Sequence, residues 1–237
     1  MISIWRKNRY TKQTNRMKQT GKTAIIIGAT GATGRILVSL LIKDVRYDTI
    51  KLFSRRSCNI THPKIKEYLG SLFELENFIE EFTADEVYCA IGTTKKQTPN
   101  KLLFKEIDFG IPLKAAKLTS KNNIHKFIVV SSIGANKDSS VFYTRTKGEM
   151  ETSISNLLIK YTYIFRPSLL LREAKEKRIL EYLAGLFMKT FSYLFIGPLK
   201  KYRAIETRTL ALAMINSANT SIKSKIFSSD EIQDMGK

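Results

Sequence analysis

The sequence predicts an α/β protein: a doubly wound parallel sheet with helices on both faces and a small C-terminal helical lid. Three observations predict it. Short, β-branched apolar runs alternate with stretches of helical period along most of the chain. The first such run leads into a turn punctuated by Gly28, Gly31 and Gly34, three residues apart. Small, polar and basic residues collect where each run ends, while the runs themselves carry almost none. Buried strands joined through helices require parallel pairing and right-handed crossovers.

Lys22–Ile27 is the first predicted strand. The glycine turn follows it, and a helix is predicted over Arg35–Lys43, where RILVSLLI can cover the strand. One glycine permits the tight turn, one lets backbone N–H groups approach a pyrophosphate, and one lets the helix pack close to the strand. Ile50–Phe53 is the second strand, ending at Ser54, Arg55 and Arg56. His62–Leu69 is a connection with a short strand at its end. Leu75, Phe78, Ile79 and Phe82 share a helical face, so Leu75–Phe82 is predicted to be a helix. Glu86–Ile91 is the next strand and runs into Gly92, Thr93 and Thr94.

Asn100–Asn122 carries Leu103, Ile107, Ile111, Ala115 and Leu118 at helical spacing, which predicts a long helix interrupted near Gly110 and Pro112. Lys126–Val130 is a strand apolar enough to be buried on both faces. Tyr143 opens a helix that continues through Glu149, Met150 and Ile154. Thr162–Phe165 is a further strand and Thr207–Ser217 a terminal helix. Met1–Gly21 shows neither period and is expected to be a basic, mobile tail. Residues 22–237 then form a single domain, with the lid region from about 170 onward.

The composition excludes several classes. At 237 residues the chain can bury a sizeable core, and 43% hydrophobic residues rule out a disordered protein. Two cysteines, Cys58 and Cys89, make no disulfide framework, and no secretory signal is read ahead of the first strand, so a reducing, cytoplasmic protein is expected. His62 and His125 have no ligand-spaced partners, so no metal site is expected. The formal charge is +19, from 40 basic and 21 acidic residues. Its densest stretch is Arg6, Lys7, Arg9, Lys12, Arg16, Lys18 and Lys22, with no acidic residue before Asp44. No zinc finger, RNP-type strand or helix-turn-helix pattern accompanies it, so the charge reads as a solvated surface and no specific nucleic acid is expected.

In open parallel sheets, ligands bind beyond the carboxyl ends of the strands. That rule selects the turn Gly28, Thr30, Gly31, Ala32, Thr33, Gly34 and Arg35, then Ser54 and Arg55, then Ala90, Ile91 and Gly92. It also selects Ser131 and Ser132, and Pro167 and Ser168 behind Arg166. Tyr143 and Lys147 are four apart in a helix and so project together. A phenol has a reference pKa of about 10, and a nearby ammonium stabilises its anion. A serine hydroxyl at the neighbouring strand end can hydrogen-bond the same substrate oxygen.

The segments GATGATGR (28–35), CAIGTT (89–94), VVSSIGAN (129–136), YTRTKGEME (143–151) and FRPS (165–168), in this order, resemble the short-chain dehydrogenase/reductase superfamily. They are most similar to its atypical members, the Tat-interacting-protein-like oxidoreductases, over about Thr23 to Ala218. The resemblance implies a Rossmann fold with NAD(P) laid across the strand ends. It implies Tyr143 as acid/base, Lys147 on the nicotinamide ribose, and Ser132 or Ser131 orienting a carbonyl. Pro167 and Ser168 would flank the nicotinamide. The acidic residue that often contacts adenine is replaced here by Gly70-Ser71-Leu72.

An NAD-preferring site places a carboxylate about 20 residues beyond the glycines. Here that place holds Ser54, Arg55 and Arg56, and a guanidinium with a hydroxyl suits a 2′-phosphate, with Arg35 at the helix start expected on the same phosphate, so NADP is expected over NAD. The expected activity is hydride transfer to or from a small, apolar carbonyl or alcohol. The rival expectation is a non-catalytic NAD(P)-binding protein for redox sensing or assembly. About 70 residues follow Pro167, too few for the substrate domain of a nucleotide-sugar epimerase. Ile179–Leu199 is apolar on more than one face, and three roles stay open for it: a cover over the site, a homodimer interface, or a weak membrane-surface contact through 179–203.

Overall fold

The computed structural model describes residues 21–94, 96–171, 204–220, 222–223 and 225–237. Seven strands form one sheet: β1 (Lys22–Ile27), β2 (Tyr47–Ser54), β3 (Ile65–Leu69), β4 (Glu86–Cys89), β5 (Lys126–Val130), β6 (Tyr161–Phe165) and β9 (Lys225–Phe227). The order is β3-β2-β1-β4-β5-β6-β9 and every pairing is parallel. This is the Rossmann arrangement, with the order reversing between β1 and β4. A separate two-stranded ribbon joins β7 (Leu170–Leu171) to β8 (Ile205–Glu206).

The alternation of side chains along each strand builds two cores. Ala24 and Ile26 of β1, Tyr88 of β4 and Ile128 of β5 point to one face. There they meet Leu37, Val38 and Leu41 of α1 (Ala32–Lys43) and Leu210 and Met214 of α5 (Thr207–Ala218). Ile25, Ile27, Val87, Cys89, Phe127 and Val129 point to the other face. That face is covered by Ile111 and Ala115 of α3 (Ile111–Lys121) and by Met150 and Ile154 of α4 (Phe142–Ser155). Strands buried on both faces explain why their sequences read as continuous apolar runs.

Most element boundaries differ from the expected ones by a few residues. α1 starts at Ala32 rather than Arg35, inside the glycine turn, and β2 begins at Tyr47 rather than Ile50. β4 ends at Cys89; the Ala90 N–H still donates to the Ile27 carbonyl at 2.9 Å, and Ile91 lies beyond the strand. The long helix is α2 (Lys101–Lys105), a π-helical turn over Glu106–Gly110, and then α3 with Pro112 in its first turn. The interruption expected near Gly110 is therefore a widened turn in a continuing helix.

The helix expected over Leu75–Phe82 is instead a 3₁₀ segment, Leu72–Phe78. Ser71 caps it, and Glu74 sits outside helical geometry at φ −123°, ψ 40°. Its apolar side chains still find the core, through an aromatic cluster in which Phe53 lies 4.9 Å from Tyr68, 5.2 Å from Phe82 and 5.6 Å from Phe78 (ring centroids). Residues 204–237 join the main fold: α5 packs beside α1, and β9 with α6 (Ser229–Met235) extends the sheet. The tail 1–20 and the rest of the expected lid, 172–203, lie outside the described residues.

Phe53 is fully buried at the centre of this cluster. Phe53→Ala is expected to cost about 3–5 kcal/mol. Urea unfolding measures it, as a lowered midpoint with an unchanged slope.

Candidate functional site

The site is assembled by backbone before any side chain is considered. Gly28 ends β1 at φ +89°, and a Cβ there would lie 2.9 Å from the carbonyl of Ala90. A Cβ on Gly34 would lie 2.0 Å from the Gly28 oxygen. These two positions let α1 start directly against the ends of β1 and β4. The Gly31 N–H donates to the Gly28 oxygen at 2.9 Å, and the Arg35 N–H donates to the Gly31 oxygen at 3.0 Å. No side chain caps α1, and its first turn holds no acidic residue. The positive end of the helix is thus presented at the sheet's switch point, which is the form of a phosphate site. Thr30, Gly31 and Ala32 are exposed there, and Thr33 is buried beneath them.

Beside this turn is a cleft of about 460 Å³ lined by Ala29, Thr30, Arg35, Ser57, Cys58, Asn59 and Ile60. Glu67 of β3 holds its outer wall, accepting from the Ser57 hydroxyl at 2.6 Å and the Cys58 N–H at 2.7 Å. Arg35 lines the cleft; the exposed Arg55 and Arg56 do not. Ser54 is buried and donates its hydroxyl to the Arg56 carbonyl at 2.7 Å. Of Ser54, Arg55, Arg56 and Arg35, only Arg35 lines the cleft, with Ser57 and Asn59 beside it. Ser71 spends its hydroxyl on the Phe73 N–H at the start of the 3₁₀ segment.

At the ends of β4, β5 and β6 the structure brings the second half of the site together. Tyr143 and Lys147 are one turn apart on α4. Tyr143 is 37% exposed, its ring set edge-on 5.9 Å from Phe104 of α2. Lys147 is 2% exposed, and its Nζ lies 2.8 Å from Oδ1 of Asp108, which is wholly buried on the π-helical turn. The contact is an ion pair off the line of a directed hydrogen bond. The other Asp108 oxygen accepts the Thr93 N–H at 2.8 Å, tying the pair to the strand end at Gly92. Burial works against charge on Lys147, but Asp108 and then Tyr143 outweigh it and raise its pKa above the ordinary lysine value.

The two serines separate. Ser132 is half-buried, with its hydroxyl on the Ile133 carbonyl at 3.2 Å. Ser131 is buried and donates to the carboxylate of Glu151, which is also gripped by Arg166. Of the two serines expected to orient a carbonyl, Ser132 is the one left to do so. Pro167 and Ser168 follow Arg166 at the end of β6, with Pro167 accepting the Ile133 N–H at 2.9 Å. Neither cysteine is a ready nucleophile: burial pushes the Cys89 thiol up to about 12 and raises Cys58 as well.

Asp108 and Glu151 escaped the sequence reading of the site. An acid among apolar residues where a helix is expected to bend, and an acid eight residues beyond Tyr143 on the same helix, were the signals available.

Residues 28–190 match the NAD(P)H-binding family. The chain is 31% identical to "Protein FMP52-1, mitochondrial" of Scheffersomyces stipitis, over 75% of this chain and 79% of that protein. It is 29% identical to "Protein HTATIP2" of Rattus norvegicus (72% of each chain) and 33% identical to "Protein FMP52, mitochondrial" of Candida albicans (65% and 69%). Among solved structures it is similar to the Bordetella bronchiseptica enzyme WbmH in complex with NAD+, at a TM-score of 0.65 with 14% identity, covering 88% of this chain and 76% of that one. It is also similar to a UDP-glucose 4-epimerase of Thermotoga maritima, at 0.61 with 12% identity (87% and 76%). The expectation of a cytoplasmic protein is overturned by the mitochondrial names of the yeast relatives. Sparse, unpaired cysteines fit any reducing compartment, so they never separated cytosol from mitochondrial matrix.

Removing one partner of a buried ion pair leaves the other charged and unsolvated. Asp108→Ala is therefore expected to destabilise the fold by about 3–5 kcal/mol, and Asp108→Ala with Lys147→Met by clearly less. Additive losses in a denaturation double-mutant cycle would contradict the pairing.

Proposed function

The chain belongs to the NAD(P)H-binding family, among the atypical short-chain dehydrogenase/reductases, and on that premise we propose that it is an NADP(H)-dependent oxidoreductase acting on a small, apolar carbonyl or alcohol. The observation that carries the reading is the convergence, at the carboxyl ends of the inner strands, of the uncapped glycine turn with Ser132, Tyr143 and Lys147. Bound there, the reduced nicotinamide would supply the hydride.

The chain's own residues account for the rest. The N–H groups at the start of α1 would hold the pyrophosphate, and Gly28 and Gly34 seat that helix start against the ends of β1 and β4. Ala90, Ile91 and Gly92 carry the backbone past the ribose, and Pro167 with Ser168 closes the nicotinamide end. Lys147, kept charged by Asp108, binds the ribose and steadies Tyr143. The Tyr143 hydroxyl gives its proton to the substrate oxygen during reduction and takes it back in the reverse direction, while the Ser132 hydroxyl orients that oxygen. Arg35, in the cleft beside Thr30, meets the 2′-phosphate, and Arg55 lies further out as a second cation.

Five of the large hydrophobic residues left exposed are Leu102 and Leu103 of α2, Val141 and Tyr143 at the start of α4, and Leu169 just before β7. They support an apolar substrate. The names of the yeast relatives support a mitochondrial location, which suits two unreactive thiols.

A fluorescence titration with NADPH and with NADH tests the cofactor. The wild-type protein should favour NADPH. Arg35→Ala should weaken NADPH by about 10–100-fold, the worth of one charge-assisted contact, and leave NADH nearly unchanged. Equal loss of both cofactors would remove the 2′-phosphate from Arg35. Tyr143→Phe should abolish turnover in a carbonyl screen while cofactor binding persists; unchanged turnover would take the acid/base role away from Tyr143.

A further inference from the structure

Glu151 lies two turns along α4 from Tyr143 and one turn from Lys147, and is 4% exposed. Its Oε1 accepts from the Ser131 hydroxyl and from Arg166 Nε at 2.9 Å. Its Oε2 accepts from Arg166 Nη2 and, at 3.2 Å, from Arg166 Nε. A buried carboxylate is thus met by a forked guanidinium and a hydroxyl, the strong, directional form of such contacts.

The partners' places in the chain matter more than their number. Ser131 immediately precedes Ser132, at the end of β5. Arg166 immediately precedes Pro167 and Ser168, at the end of β6. The backbones of both are fixed as well: the Ser131 N–H donates to the Phe165 carbonyl at 2.7 Å, and the Arg166 N–H to Phe227 of β9 at 2.9 Å. One carboxylate on the helix of Tyr143 and Lys147 therefore grips the residue just before each of the other two parts of the catalytic end.

We propose that Glu151 is a positioning residue: through Ser131 and Arg166 it sets the catalytic helix in register with Ser132 and with the Pro167–Ser168 segment. The proposal rests on the oxidoreductase reading and adds to it a residue that touches neither substrate nor cofactor. Among the described residues, the adenosine half of the site, built from the glycine turn and the Arg35 cleft, shares no hydrogen bond with this cluster. Loss of the clamp should therefore loosen the nicotinamide end alone.

The test compares wild type with Glu151→Gln, which keeps the shape but loses the charge, and with Arg166→Lys, which keeps the charge but loses the fork. Binding of adenosine 2′,5′-bisphosphate should be unchanged in both. The enhancement of NADPH nicotinamide emission on binding should fall, more in Glu151→Gln than in Arg166→Lys. On any carbonyl that the wild type reduces, kcat should fall on the order of 10–100-fold, as for a misplaced reacting group, with little change in the cofactor KM. Amide hydrogen exchange at 131–133 and 166–168 should quicken in both variants. Undisturbed emission and exchange in Glu151→Gln would overturn the proposal. Equal loss of bisphosphate and NADPH binding would also overturn it, because the carboxylate would then only hold the fold together. If Glu151→Gln does not fold, Arg166→Lys decides by the same readouts. A wild-type protein that ignores NADPH would sink the oxidoreductase reading instead, and the exchange measurement would still decide whether the clamp exists.

Discussion

The carbonyl of Gly28 is the point on which the cofactor half of this molecule turns. It accepts the Gly31 N–H at 2.9 Å, and a side chain on Gly34 would run into it at 2.0 Å. Backbone meets backbone there without side chains between, so α1 is seated against the end of β1 and aimed at the gap between β1 and β4. The rest follows from that placement. Leu37, Val38 and Leu41 reach the sheet only when the helix lies this close, and α5 can share their face only beside a seated α1. The sheet then reverses its order between β1 and β4, leaving the crevice into which both the helix start and Gly92 open.

Charge inside the protein obeys a stricter rule than charge outside. With a formal charge of +19, the chain still buries three acidic side chains among the described residues, Glu86, Asp108 and Glu151, and each faces a cation. Glu86 meets Lys22 at 3.3 Å and accepts from the hydroxyls of Tyr47 and Tyr88 at the start of the sheet. There Asn219, which follows α5, donates to Tyr47 at 2.7 Å and accepts from Lys22 at 2.7 Å. That network fastens the end of α5 under the sheet, far from the crevice. Asp108 and Glu151 do the corresponding work at the opposite edge.

The fold was legible because its strands are buried on both faces and its helices on one. Lys22–Ile27 and Lys126–Val130 were read to the residue, since a β-branched run with no polar interruption has few other uses. The 3₁₀ segment was misread because Leu75, Phe78, Ile79 and Phe82 satisfy a helical period and also fit a tighter coil around Phe53; only the cluster itself decides between them. β9 was missed because three residues carry too little pattern to register. In the site, the residues whose role is backbone geometry or helix spacing were legible: Gly28, Gly34, Tyr143 and Lys147. Asp108 and Glu151 were not, because their meaning lies in partners 39 and 15 to 20 residues away, brought near only by the crossovers. The expectation of a 2′-phosphate joined Arg55, reached by counting along the chain, with Arg35 at the helix start; of the two only Arg35 lines the cleft, and the Ser54 hydroxyl is turned back onto the Arg56 carbonyl.

The two halves of the crevice are built from different materials, and this bears on whether the protein is an enzyme or a binding module. The adenosine half needs glycines, a helix start and a cation, and it buries no acid beside the glycine turn. The other half holds Lys147 with Asp108 and Glu151 with Arg166. Burying such pairs gains little over well-packed apolar residues, because desolvation takes back most of the attraction. A protein that only held a dinucleotide could fill that volume with leucine and lose nothing in the phosphate grip. As the Glu86–Lys22 pair fixes the end of α5, these two pairs join α4 to the π-helical turn and to the end of β6, and so fix where Tyr143 sits. On the proposed oxidoreductase reading, that fixed geometry is what proton transfer at this end would need.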